Sequence, residues 1–368
     1  MRRTPALIVG GGPAGAVAAL LLARAGASHL LVERNAETGD ALCGGFLSWR
    51  TLDALERLGI RRDALNRDAI RRLRLFAGTR QAEAFLPRPA LAVSRRRLDT
   101  LLLDHAVATG AAVERGVAVR ALEGDCLRLA DDGEITPDAL FLATGKHDLR
   151  GLARGAERGE DPTLGLRVRL GPSGALDRMI GDTIELHLFD RGYTGIARQE
   201  DGTVNLCMAV HRSRLSAAGS PDRLLTALGN ESPRLGERLA HRAGAASIDA
   251  VANVPYGWRA LNGTTGLFRL GDQAACIPSL AGEGMGIAIE SGTRAAAEYL
   301  RHGPAGAVAY QQKLAHDLST PFAIANRIRA AAERPAWANA LTAAVGLAPQ
   351  LAGIAARLTR ISHKPLDA

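Results

Sequence analysis

The stretch ALIVGGGPAG, followed at once by the Ala- and Leu-rich run AVAALLLA, constrains the fold more than any other feature of this chain. An apolar run of strand length ends in a glycine-rich turn, and a helical pattern starts at Pro13 with no connecting loop between them. The pattern predicts a buried strand over Ala6–Val9, a helix over Pro13–Ala25 and a second strand over His29–Glu33, a βαβ unit. Within it, Gly10, Gly12 and Gly15 spell GxGxxG. The first glycine permits the tight turn, the second lets backbone approach a pyrophosphate, and the third lets helix and strand pack closely. The helix start at Pro13 and Ala14 adds amide donors and a partial positive charge. Glu33 ends the second strand, with Arg34 next to it, and a carboxylate there accepts hydrogen bonds from a ribose 2′-hydroxyl while repelling a 2′-phosphate. The unit is predicted to hold the ADP half of FAD or NAD.

A second glycine-rich loop, GDQAACIPSLAGEGMG at 271–286, lies far along the chain, after the strand candidate GLFRLGD and before a predicted helix from about Gly284 to Arg301. This loop resembles the GD motif of FAD-dependent monooxygenases of the aromatic-hydroxylase type and of the related geranylgeranyl reductase-like flavoproteins. The resemblance implies that Gly271 and Asp272 meet the ribityl chain of FAD and that Pro278 lies by the flavin ring. It also implies that Gly284, Met285 and Gly286 form a helix entrance whose backbone donors stabilise negative charge on a reduced flavin. Two loops far apart in sequence would then serve one extended molecule, the first holding its phosphates and the second its ring.

Further segments fit the same resemblance. In ALCGGFLSWRTLDALERLGI, the residues Cys43, Gly44 and Gly45 match a Cys-Gly-Gly that precedes a helix beside the flavin in the reductase-like branch; a small buried apolar role for Cys43 fits equally well. In VSRRRLDTLLLDHA, Arg95 is the best match to an arginine that contacts the FAD pyrophosphate, with Arg96 and Arg97 as competitors. The likeness runs from residue 4 to about 300 and is weakest through 163–255. One departure stands out. Aromatic hydroxylases carry an Asp-Gly that touches both FAD and the visiting nicotinamide nucleotide, whereas FLATGKHDLRG has Thr144 before Gly145. NADPH or NADH is therefore the expected but unsupported electron donor, and a separate reductase partner is the alternative. Lys146, His147 and Asp148 are read as a solvated loop.

From about Thr163 the texture changes to alternating stretches, TLGLRVRL, TIELHLF, YTGIARQ and TVNLCMAV, with Asp201-Gly202 as a hairpin signal. In TIELHLF, Ile184, Leu186 and Leu188 share one face and Glu185, His187 and Phe189 the other. His187, Tyr193 and Tyr256 are placed on sheet strands facing the ring, as packing or hydrogen-bonding groups rather than as an acid or base. The expected architecture is α/β: a glutathione-reductase-like, Rossmann-type FAD-binding domain (1–70, 94–162 and 255–330) with an inserted antiparallel β-sheet substrate domain (71–93 and 163–254). A helical tail over 331–368 ends in the apolar, basic LAPQLAGIAARLTRI. That tail is read as packed on the domain, with lining of an apolar pocket or contact with a membrane surface as alternatives.

Composition narrows the function classes. The net charge is +8, yet lysine occurs only at 146, 313 and 364, the arginines are scattered, and aromatics make up 4%, too few for a stacking platform, so nucleic acid is not an expected partner. Cys43, Cys126, Cys207 and Cys276 are far apart in sequence, which argues against zinc and disulfides and for a reducing, cytoplasmic compartment. The basic, apolar N-terminus imitates a signal peptide, but GGGPAG interrupts it. The resemblance implies an FAD-dependent oxidoreductase acting on a small molecule, with no metal. The first expectation is a monooxygenase that hydroxylates or epoxidises a phenolic, polyketide or isoprenoid substrate through a flavin C4a-hydroperoxide. The second, favoured by Cys-Gly-Gly, is a reductase saturating a double bond of an isoprenoid or related lipid. Outside catalysis stands an electron-transfer or structural FAD-binding protein. No catalytic side chain is assigned.

Overall fold

In the computed structural model, which describes residues 2–155, 159–242 and 247–362, the opening unit is built as a parallel βαβ. Strand Arg2–Val9 runs parallel to Leu30–Glu33 on one side and to Glu134–Leu142 on the other. The helix between the first two, Pro13–Arg24, is buried from Pro13 to Leu22, which explains why its sequence is almost wholly Ala, Val and Leu rather than amphipathic. Among the described residues the sheet has seven strands: Val113–Arg115, Leu30–Glu33, Arg2–Val9, Glu134–Leu142, Cys126–Leu129 and Val119–Glu123 in that order, with Leu267–Arg269 also paired to Glu134–Leu142. Residues 113–123 form two strands rather than one, because Gly116 at φ +77° turns the chain between them.

A second sheet of eight strands runs Asp249–Val251, Thr163–Leu170, Val204–His211, Gly192–Arg198, Thr183–Phe189, Ala69–Ala77, Arg80–Ala92 and Phe46–Leu47. It is not wholly antiparallel as expected, since Thr183–Phe189 lies parallel to Ala69–Ala77. Parallel neighbours need a long crossover, and the chain supplies one by building part of the first sheet between these two strands. Residues 221–239 form two short helices, Pro221–Glu231 and Pro233–Leu239, which stay separate because Pro233 cannot continue the first.

The alternation of TIELHLF is realised, but it overturns the placement of His187. Ile184, Leu186 and Leu188 face a cavity, while His187 is buried on the opposite face, stacked on Phe76 at 4.3 Å. There Glu185 is fully buried and receives Arg238 Nε and Nη2, each at 2.9 Å, and Arg74 Nη1, also at 2.9 Å. Burial alone would raise the Glu185 pKa, but hydrogen bonds from His187 and Arg238 bring it down to about 2. These residues fasten the two short helices onto the sheet and take no part in a cavity facing the glycine loops. Tyr256 faces the cavity as expected, but from a turn rather than a strand, since Pro255 has no ladder N–H and the Tyr256 N–H donates to the Val254 carbonyl at 2.9 Å.

Helix Gly284–His302 crosses Pro13–Arg24 at very close range. A Cβ built on Gly292 would stand 2.4 Å from the Ala14 carbonyl oxygen, and one on Gly15 would stand 1.9 Å from the Gly10 carbonyl oxygen. Gly292→Val should therefore force the two helices apart, lowering stability by about 1–3 kcal/mol and loosening the cofactor site with it. A thermal-unfolding midpoint and flavin content equal to wild type would show that the close crossing is dispensable.

Candidate active site

The two glycine loops meet at one groove that continues into an apolar cavity, and the two together enclose about 370 Å³. Gly12, Pro13 and Ala14 line its first end. Gly10 holds φ +109° to make the turn, and Gly15 packs against it, so these two shape the loop rather than face the groove. Gly12 is the N-cap of the first helix and has no side chain to bond the first-turn amides, which leaves them to a ligand. A Cβ at Gly12 would meet Arg95 Nη2 at 3.2 Å. Arg95 is held there by Asp99 at 2.8 and 2.6 Å. Burial opposes its charge, but Asp99 more than offsets that and keeps the guanidinium pKa above its ordinary value. The competitors do not line the groove: Arg96 is exposed and Arg97 Nε donates to the Ala64 carbonyl.

Glu33 closes the outer side of this loop. Its Oε2 accepts the Gly11 N–H at 2.7 Å and its Oε1 accepts from Asn35. Arg34 is exposed and lies 3.0 Å from His147 Nε2. The glycine cradle, the uncapped helix start, Arg95 and Glu33 fit the ADP end of FAD, by the open space at Gly12 and the chemistry of the donors.

Asp272, Gly271, Gly284 and Met285 line the same groove from the late loop. Asp272 lies 3.7 Å from Lys146 Nζ, which also donates to the Leu42 carbonyl at 3.2 Å. This corrects the reading of 146–148 as one solvated loop. His147 and Asp148 are exposed, but Lys146 is turned into the groove, because Asp272 and the Leu42 carbonyl offer its ammonium partners there. Burial works against the Lys146 charge, yet Asp272 holds its pKa above that of a free lysine. Thr144 does not face the groove and donates instead to the His147 carbonyl at 2.6 Å, whereas Gly145 does line it. Pro278 is buried and starts a short turn whose Ser279 and Leu280 reach the cavity, and Gly286 packs on Glu283 and Thr51 rather than facing open space.

Cys43, Gly44 and Gly45 line the wall opposite, and the segment is fastened to the second sheet. Asn205 Nδ2 donates to the Cys43 carbonyl at 2.9 Å, and Arg167 donates to the carbonyls of Asp40 and Ala41. Cys43 both faces the groove and packs on the main core, so the two roles weighed for it coexist in one position.

Several site residues carried no signal in the sequence. Gln273 Nε2 donates to the carbonyls of Gly145 and His147, and Arg154 spans Asp148 and the carbonyls of Lys146 and Asp272, locking the 143–148 turn to the late loop. Glu283, fully buried, pairs with Arg360 at 3.1 Å and accepts from Ser48 and from the Ile361 amide. Tyr193 places its hydroxyl 2.8 Å from Ser279 Oγ and accepts the Leu280 N–H at 3.2 Å. Burial pushes the Tyr193 pKa up to about 12, so the phenol keeps its proton at neutral pH. A lone lysine beside an ATG turn was the only available pointer to Lys146; the rest are contacts between distant segments.

Residues 3–150 match a family model described as an FAD binding domain. A curated relative, the menaquinone reductase of Mycobacterium tuberculosis, is 30% identical over 314 residues, covering 80% of this chain and 76% of the relative. Among solved structures, PqsL of Pseudomonas aeruginosa, titled a probable FAD-dependent monooxygenase, is similar with a TM-score of 0.75 at 16% identity, covering 92% of this chain and 99% of that one. A geranylgeranyl bacteriochlorophyll reductase-like protein of Thermoplasma acidophilum gives 0.72 at 20% identity, covering 98% and 94%.

Two substitutions test the phosphate end of the groove. Gly12→Val should yield colourless protein, since its side chain fills the space between loop and Arg95. Arg95→Ala should weaken FAD binding by about 1.5–3 kcal/mol, the range for a hydrogen bond to a charged group. Titration of apoprotein with FAD, followed by flavin fluorescence, reads both, and wild-type affinity in both variants would make the loop purely structural.

Proposed function

Because this chain belongs to the superfamily of FAD-dependent monooxygenases and geranylgeranyl reductase-like flavoproteins, and is an FAD-dependent oxidoreductase, we propose that it saturates a carbon–carbon double bond of an apolar isoprenoid-type lipid. The observation that carries this reading is the wall of the cavity beyond the late loop. Leu73, Leu75 and Leu86 from one part of the second sheet, Ile184, Leu186 and Ile196 from another, and Leu341 and Val345 from a C-terminal helix supply an apolar surface. Such a wall suits a hydrocarbon chain better than a small polyhydroxylated ring. The relative named menaquinone reductase supports the same class and brings a prenylated quinone forward as the first substrate to try.

FAD, when bound, supplies the two electrons as a hydride. The chain's own residues have three tasks. The groove around Gly12, Arg95, Asp272 and Lys146 holds and orients the cofactor, with Arg95 and Lys146 offsetting its negative charge. The apolar wall excludes water and lays the alkene against the late loop. Tyr193, protonated and supported by Ser279, is the proposed donor of a proton to the second carbon, so that hydride plus proton complete the saturation. NADPH, NADH or a reductase partner is the proposed source of electrons.

The monooxygenase reading has its own support in the FAD-binding family model and in the fold shared with PqsL. Oxygen separates the two. Photoreduced protein given a prenylated quinone under argon should yield a product that is still heavier by two hydrogens after its ring is reoxidised to the quinone, the gain lying in the prenyl chain, and the same product formed under ¹⁸O₂ should carry no label. Tyr193→Phe should slow that turnover on the order of 10²-fold while keeping FAD. A labelled product formed only in the presence of oxygen would establish the monooxygenase instead.

A further inference from the structure

The C-terminal helices Pro335–Leu347 and Gln350–Leu358 meet at a bend of 115° and both pack on strand Arg80–Ala92. Their inner side, through Leu341, Val345, Ala352 and Ala355, closes the cavity. Their outer side is as apolar as the inner one. Trp337 is 61% exposed, Leu347 89%, Ile354 51% and Leu358 48%, while Leu351, 43% exposed, also borders the cavity. Five of the nine large apolar side chains exposed among the described residues therefore lie on this one helix pair, where an ordinary surface would scatter them.

Charge on this surface has one sign. From Pro335 to Ala356 the sequence contains no Asp, Glu, Lys or Arg. Arg334 and Arg357 flank the stretch, both exposed, and neither has a carboxylate within ion-pair distance among the described residues. Glu333, the nearest acid, is taken by Arg329 at 2.7 Å and His211 at 3.1 Å. No single described helix is long and apolar enough to cross a membrane. At 1.5 Å per residue the longer of the two reaches only about 20 Å, against roughly 30 Å of hydrocarbon. A bent pair with an apolar outer side and arginines at its ends has the composition of an element that lies in the interface of an anionic bilayer.

We propose that the 335–358 helix pair is an interfacial docking element that seats the protein on anionic membranes and places its cavity against the hydrocarbon. The same two helices then face lipid on one side and the cavity on the other, so a long-chain substrate passes from bilayer to site without crossing water. The identity of that substrate rests on the reductase reading; the docking does not.

The test uses the FAD-loaded full chain and vesicles of phosphatidylcholine, alone or with phosphatidylglycerol added. Wild-type protein should sediment with the anionic vesicles and only weakly with neutral ones. Leu347→Asp with Ile354→Asp, neither of which lines the cavity, should reduce the bound fraction at least tenfold while leaving the flavin spectrum and turnover of a short, water-soluble prenyl substrate unchanged. Arg334→Gln with Arg357→Gln should erase the preference for phosphatidylglycerol. Failure of wild type to bind either vesicle, or equal binding by the Asp variant, overturns the docking. So does a dimer in gel filtration that the Asp variant dissociates, because a second copy would then cover this surface. Vesicle binding with no anaerobic turnover would overturn the reductase reading and uphold the docking.

Discussion

The crossing of the first helix and the late helix at Gly292 is the contact on which the rest of the site depends. The Ala14 carbonyl lies where any side chain at 292 would stand, and Gly271 packs its own Cα side toward the Ala14 methyl group. The Ser291 hydroxyl accepts the Gly271 N–H at 2.8 Å, tying the late loop to its own helix at the same level. Without this approach of backbone to backbone, two glycine loops from opposite ends of the chain would not border one groove. Small residues in both helices are thus a requirement of geometry rather than of propensity, since glycine within a helix costs up to about 1 kcal/mol relative to alanine.

Around that crossing the polar and apolar parts of the site separate along the groove. Cations and amides gather at the end marked by Gly12, with Arg95 and Lys146 each kept charged by a carboxylate, Asp99 and Asp272. Beyond the late loop the lining turns apolar, and its few polar groups are paired or partly paired, as with Tyr193 and Ser279. The buried Glu283–Arg360 pair joins the late loop to the end of the C-terminal helices, with the Arg360 guanidinium over the rings of Phe46 and Trp49. A buried pair of this kind contributes little net stability when intact, but loss of one partner leaves a charge stranded, so it fixes where the helical cover sits.

What the sequence made legible follows from how local each signal is. Gly10, Gly12 and Gly15 announce a turn, and the Ala-Leu run announces a buried helix, because both depend on neighbours within a few residues. Arg95 was the best of three arginines by its resemblance to the leading arginine of a flavoprotein helix, and in the structure it alone of the three borders the groove at Gly12. The alternation of TIELHLF gave two faces but not which one meets the cavity, so His187 was put on the wrong side; that choice is made by Arg238, which reaches it from a helix many residues later. Lys146 was misread for the same reason, its partners Asp272 and Leu42 being distant in sequence. The parallel pairing of Thr183–Phe189 with Ala69–Ala77 was likewise invisible, as it is a matter of topology rather than of pattern.

The protein can work as proposed only if the apolar cavity opens onto the redox end of FAD held between the two loops. A difference absorption titration of FAD-loaded protein with a polyprenyl alcohol, which has no visible absorption of its own, addresses this directly. The predicted result is a saturable perturbation of the flavin band at one lipid per chain, absent in Gly195→Phe, where a ring is added to the cavity wall beside Leu186. A flavin spectrum that stays flat while the lipid demonstrably binds would contradict it.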